Sequence, residues 1–348
     1  MFSGLAPGRS AEQHRAAVAG GKAAQDRRVE AVFLLQDARG EGIRRVVGQD
    51  RHPRLPEDRA VVDGDWLAKQ GSRGVQIIEI SEETKESAVF RTTSSGDVKE
   101  LSLFDLADVQ SYLGPRSQPV FLDITGAAFG TWAVLVRAAL ASDLDLKVLY
   151  VEPKDYMKAL SPVGSLRYNL SERTDGISPL PGFARLTNSR RSGDDILVPL
   201  LGFEGDRLAR IFEEVQPPEA STFPVIGLPG FRPEYPFHTI ESNMLYLNEQ
   251  RSMSKLRYAR ANCPFSLYAL LSELTTYFPD RLIQIAVLGT KPHALGAALF
   301  VMLHPDKAAL LYDHPIRSQG RTTGSGRLCV YDIKKFLAFT PILSAKAG

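Results

Sequence analysis

Cysteine is nearly absent from this chain: only Cys263 and Cys329 occur among 348 residues. Two are too few for a disulfide framework or a cysteine-ligated zinc site, so a reducing, cytoplasmic setting is the expectation. Long apolar runs are missing too. None approaches the ~20 residues that a membrane-spanning helix needs, and the basic start lacks the apolar centre of a secretory signal. The net charge is only +2, so no overall field draws the chain to nucleic acid or an anionic membrane. Several catalytic fingerprints are also lacking. The absence of G-x-x-x-x-G-K-S/T argues against a Walker-type NTPase, and the absence of G-x-G-x-x-G after a strand argues against the usual dehydrogenases. No G-x-S-x-G elbow offers a serine nucleophile. No histidine or carboxylate spacing suggests a metal, so neither metal nor cofactor is expected.

What the chain does have is enough apolar sequence for a large core, with 44% hydrophobic and 24% charged residues. The most informative stretch is Leu282 to Gly296. Its apolar run from Ile283 to Leu288 predicts a buried parallel strand. The run breaks at Gly289-Thr290, and Lys291-Pro292 opens a helix through Leu303, with proline at a position whose missing N–H costs nothing. Such a strand–turn–helix aims free backbone N–H groups and a positive dipole end at whatever lies beyond the strand. Thr290 and Lys291 sit at that point, and the arrangement suits a phosphate.

Taken in order, residues 1–28 read as a flexible leader containing a loose helix from Ser10 to Ala24. Residues 29–114 read as a small α+β or β-rich N-terminal unit of short strands around Val32, Val75 to Ile80 and Ala88 to Arg91, then a strand and helix from Val98 to Tyr112. From Gln118 the pattern becomes strand then helix. Strands are predicted at 120–124, 147–151, 196–201, 223–227, 283–288, 308–312 and 329–333, with a loop-rich insertion or lid over 152–195. Seven strands with interleaved helices predict an α/β class and a doubly wound, mostly parallel Rossmann-like sheet over residues 115–340.

Ligands of open α/β sheets sit outside the carboxyl ends of the strands. The strand-end residues Thr125, Gly126, Gly202, Glu204, Gly289, Thr290 and Lys291 are therefore the candidate ligand-binding set. Arg321 joins them from the donor-rich loop Arg317–Arg327, where a guanidinium would fork onto phosphate oxygens. Two readings stand beside each other at Glu204-Gly205-Asp206: Asp206 caps the next helix, or Glu204 accepts from a ribose or base. Asp313 and His314 are neighbours, but consecutive residues of an extended chain point opposite ways and make no dyad by adjacency.

Gly289-Thr290-Lys291-Pro292 followed by Ala294-Leu295, together with Asp123-Ile124-Thr125-Gly126, resembles the strand-end motifs of the CRISPR-associated Rossmann-fold (CARF) domains. One glycine precedes Thr290 here instead of two. The resemblance implies a homodimer that binds a nucleotide or oligonucleotide signal at the strand ends. It also implies a regulatory role, with a partner protein, in a prokaryotic antiviral defence system, residues 1–112 serving as a partner-docking unit or an unfamiliar effector. The alternative is an enzyme, a nuclease or nucleotide hydrolase, acting through Asp123, Glu204, Asp313 or His314.

Overall fold

The computed structural model describes residues 31–35, 76–160, 166–168, 170–184, 195–318 and 320–340. The leader over 1–28 and its helix lie outside them. The chain begins with β1 (Ala31–Leu35), β2 (Gln76–Glu83), β3 (Ser87–Thr92), β4 (Val98–Ser102) and helix α1 (Leu106–Leu113). A strand–helix–strand unit follows: β5 (Val120–Asp123), α2 (Phe129–Ala141) and β6 (Leu146–Tyr156). Three short strands come next, β7 (Lys158–Leu160), β8 (Leu166–Tyr168) and β9 (Ser171–Thr174).

The alternation then resumes with β10 (Ile196–Leu200), α3 (Gly205–Val215), β11 (Val225–Gly227), α4 (Tyr235–Glu249), β12 (Arg257–Ala259) and α5 (Pro264–Tyr277). It continues through β13 (Ile283–Val287), α6 (Lys291–Leu303) and β14 (Ala308–Leu311). The chain closes with β15 (Pro315–Arg317), β16 (Thr322–Asp332) and α7 (Ile333–Ala338).

These strands form two principal sheets. One has five strands in the order β12-β11-β10-β13-β14, all parallel. The chain steps outward from β10 to β12, then returns to the other side of β10 for β13 and β14. Strand order therefore reverses between β10 and β13. The other sheet has seven strands in the order β16-β6-β5-β1-β2-β3-β4. Only β5 and β6 pair parallel in it, joined by α2; its other neighbours are antiparallel.

The expectation of one seven-stranded, mostly parallel sheet over 115–340 is thus corrected. Strands β5, β6 and β16 join the N-terminal strands, and β1 pairs directly with β5, Phe33 opposite Leu122. The first sheet runs unbroken across the boundary placed at 114/115. Hydrophobic period reports a local βαβ unit, but not which distant strand will share its ladder, so this division is invisible in the pattern. Two loop expectations also change. The segment after Glu152 continues as strand to Tyr156, and the expected loop Arg317–Arg327 is largely β16, paired with β6 from Thr322 onward.

The parallel sheet is covered on both faces, which explains its continuous apolar strands. Leu197, Leu201, Ile226 and Ala286 pack with Leu208, Ile211, Phe212 and Leu247 of α3 and α4. Alternate residues such as Ile196, Val198, Leu200, Ile283 and Ile285 share a core with Leu267, Leu271, Leu295 and Leu299 of α5 and α6. That core is continuous with Trp132, Val136 and the first sheet. Helix α6 packs against α2 as well as α5, so the two sheets hold each other through a helical layer. Pro199 sits inside β10 without an N–H to give. It is tolerated where β10 and β11 pair at a single position, Leu200 with Val225. Among the described residues no helix is long and apolar enough to cross a membrane.

Candidate functional site

The reversal of strand order leaves a gap beyond the carboxyl ends of β10 and β13. Two glycines let the chain pass through it. A Cβ on Gly202 would lie 2.2 Å from the Leu288 carbonyl oxygen, and one on Gly289 would lie 2.7 Å from that of Leu201. Backbone meets backbone there, so neither residue tolerates a side chain. Directly after Gly289, Thr290 caps α6. Its hydroxyl accepts from the His293 N–H at 3.3 Å and donates to the Ala261 carbonyl at 2.8 Å.

A cleft of about 1170 Å3, its solvent mouth included, opens above this junction. Gly202, Glu204, Gly289, Thr290, Lys291 and Arg321 all line it. Sequence reasoning had placed these six together. Thr125 and Gly126 do not line it and are buried behind it. The Thr125 hydroxyl accepts from the Val151 N–H at 2.9 Å, tying the end of β5 to β6.

Lys291 has a different task from the one its sequence context suggests. Its ammonium donates to the carbonyls of Ile124, Thr125 and Ala127, the last two at 2.8 Å each. Three donors meet three acceptors, and the ammonium fastens the β5–α2 turn to the start of α6. Arg317 joins it, donating to the Gly126 carbonyl and to that of Ala127 at 2.7 Å. The turn therefore points four consecutive carbonyls at two cations.

The carboxylates are similarly engaged. Glu204 is the N-cap residue of α3, while Asp206, expected to be the cap, lies in the first turn. The Glu204 carboxylate does not face a free ligand position: it accepts from the N–H groups of Leu170 and Ser171 at 3.0 and 2.8 Å, and from the Ser171 hydroxyl at 3.0 Å. It holds β9 over the cleft. Asp313 is almost fully buried and takes Arg207 in a fork, with Nε at 2.7 Å and Nη2 at 2.5 Å. Burial works against the Arg207 charge, but the hydrogen bonds and charge of Asp313 outweigh it and raise its pKa. Asp123 accepts from the Thr125 N–H at 2.8 Å. His314 directs Nε2 at the Ser178 carbonyl, 3.1 Å away, and burial lowers its pKa.

His293 is 1% exposed, and burial lowers its pKa to about 4 in spite of backbone acceptors at Arg260 and Ala259. It stays neutral beside the positive end of α6. Among the described residues no group of three or more His, Cys, Asp or Glu side chains is placed to hold a metal.

The wall that the sequence reading missed is aromatic. Eight rings line the cleft: Phe129, Trp132, Tyr150, Tyr156, Phe203, Phe231, Tyr235 and Tyr312. Phe203 is their hub. It stacks on Tyr168 at 4.4 Å between centroids and meets Tyr156 and Tyr235 edge-on at 5.3 and 5.2 Å. On the other side Phe129 contacts Trp132 and Tyr312 at 4.8 and 5.0 Å. The rings come from β6, from helices α2 and α4 and from the loops after β10, β11 and β14, so no short motif contains them. Phe203 and Phe231 carried a local hint, each immediately after a glycine of a strand-end loop.

Burial pushes the Tyr235 pKa up to about 12; Arg232 opposes it, and the nearby acids Asp155 and Glu234 add to the rise. The Tyr235 hydroxyl and the Trp132 Nε1–H are both buried without a hydrogen-bond partner among the described residues.

No protein-family model matches the chain, and no curated protein matches it either.

Proposed function

We propose that this chain is a nucleotide-binding regulatory protein whose site is the aromatic cleft beyond β10 and β13. In this reading the parallel sheet is a doubly wound, Rossmann-like unit, and the reversal of strand order is its binding crevice. The observation that carries the proposal is the make-up of that crevice. Rings line it, Arg321 stands among them, and its carboxylates hold the walls together. Aromatic faces stack bases with little regard to sequence, and a guanidinium suits a phosphate. The CARF resemblance at Gly289–Leu295 and Asp123–Gly126 adds the setting: a homodimeric sensor working with a partner protein in prokaryotic antiviral defence.

Recognition is favoured over turnover because Asp123, Glu204 and Asp313 are all committed to bonds that shape the fold. A general base needs access to the proton it removes.

Thermal-shift measurements with mononucleotides and cyclic oligonucleotides test the proposal. A binding ligand at about 100 times its dissociation constant adds about 2.7 kcal/mol, which reads as a rise of several degrees in Tm. Arg321→Ala is expected to shrink that rise for phosphate-bearing ligands. No shift with any member of the panel contradicts the reading.

A further inference from the structure

We infer that the cleft holds its ligand by a flat heteroaromatic base stacked among its rings, and that phosphate contributes little of the affinity. This rests on the nucleotide reading above and decides which part of the nucleotide is recognised.

The cations argue first. Arg207 is forked onto Asp313, Lys291 is shared among three carbonyls, and Arg317 is spent on one of these, Ala127, and on Gly126. Moving any of these onto a phosphate would strand buried acceptors. Arg207, Lys291 and Arg317 are thus fixed as parts of the wall of the cleft.

The rings argue second. Tyr156, Phe203 and Tyr235 cluster edge-on in the lining and Tyr150 pairs with Phe231, and aromatic faces of this kind stack bases. Third, Tyr235 and Trp132 line the cleft at 5% and 0% exposure, and each carries a polar hydrogen with no partner among the described residues. Buried polar groups are seldom left unpaired. A base edge carrying acceptor nitrogens or oxygens provides what these two donors need.

The test is a calorimetric titration of the full chain with adenosine, guanosine, cytidine and uridine, their 5′-monophosphates, and inorganic pyrophosphate as competitor. Base-centred recognition predicts that at least one nucleoside binds within tenfold of its monophosphate and that pyrophosphate does not displace it. It also predicts that Tyr235→Phe weakens that nucleoside about fivefold or more. The same variant folds as stably as the parent, since the hydroxyl it loses has no partner among the described residues. A nucleoside more than tenfold weaker than its monophosphate, displacement by pyrophosphate, or unchanged affinity in Tyr235→Phe overturns the inference while leaving nucleotide binding intact. Binding of neither nucleosides nor monophosphates overturns the nucleotide reading as well.

Discussion

The end of β5 and the end of β13 carry similar residues, Thr125-Gly126 and Gly289-Thr290, each between a buried strand and an apolar helix. They are used in opposite ways. At β13 the glycine permits close passage of backbone, and the threonine caps a helix that begins at once, presenting N–H groups. At β5 the threonine oxygen is turned back onto β6, and the loop that follows presents carbonyls. One turn is a donor and the other an acceptor, and Lys291 from the donor turn satisfies the acceptor turn. The lysine that local context marks as a phosphate ligand instead neutralises a second loop nearly 170 residues earlier. A strand-end motif tells where a site is. What its cation binds depends on the loop facing it.

The sharpest way to break this junction is through the ion pair beneath it. Asp313→Asn removes the buried partner of Arg207, and loss of one member of such a pair costs about 3–5 kcal/mol; urea unfolding is expected to show a lowered midpoint. Were Asp313 a catalytic acid or base instead, the variant would lose turnover and keep its stability. Gly202→Ala is expected to cost about 3 kcal/mol, since the added methyl meets the Leu288 carbonyl with no flexible side chain to yield. Ala at a roomier position such as Gly130, where the nearest atom is the Leu180 Cδ2 at 3.6 Å, is expected to cost less in the same assay.

Lys291→Met separates the two roles of the lysine. As a fastener it is expected to lose about 2–3 kcal/mol from orphaned carbonyls, whether or not a ligand is present. As a phosphate ligand it would leave the stability of the ligand-free protein near that of the parent.

Acid provides a comparison of the same size. The His293 pKa is lowered to about 4 in the fold against an ordinary 6.5. The unfolded chain therefore binds the proton that the folded chain refuses. Its influence is absent above pH 6.5, and stability falls as pH drops from 6.5 toward 4, by about 3 kcal/mol in total from this residue. Burial lowers the pKa values of His304 and His314 in the same direction. Replacing His293 with Phe is expected to flatten the slope of unfolding free energy against pH in that window, and an unchanged slope would remove His293 as its source.

Much of the parallel sheet was legible. The run Ile283–Leu288, the proline at the start of α6 and the alternation from Ile196 to Tyr312 are local signals with a local cause: burial on both faces and helix-start geometry. Five of the eight residues picked as ligand contacts line the cleft for the same reason, because strand ends of one parallel sheet lie side by side; Arg321, a sixth, reaches it from just before β16 of the other sheet. The rest was hidden by sequence distance. Residues 120–151 read as one more βαβ unit, and nothing in their period says that β6 pairs with β16 or β5 with β1. Tyr156, Phe203, Tyr235 and Tyr312 likewise look like separate core residues until the fold gathers them. The Glu204 and Lys291 side chains line the cleft, but their partners, Leu170-Ser171 and the 124–127 turn, come from segments with no pattern of their own.

The central claim is that the aromatic cleft at the reversal point is where the ligand sits. Photocrosslinking with an azido-purine nucleotide, followed by peptide mass spectrometry, tests it most directly. The account predicts label on peptides carrying Tyr156, Phe203 or Tyr235, and protection of those peptides by excess unmodified nucleoside. Label confined to other parts of the chain, or label that excess nucleoside fails to suppress, would contradict it.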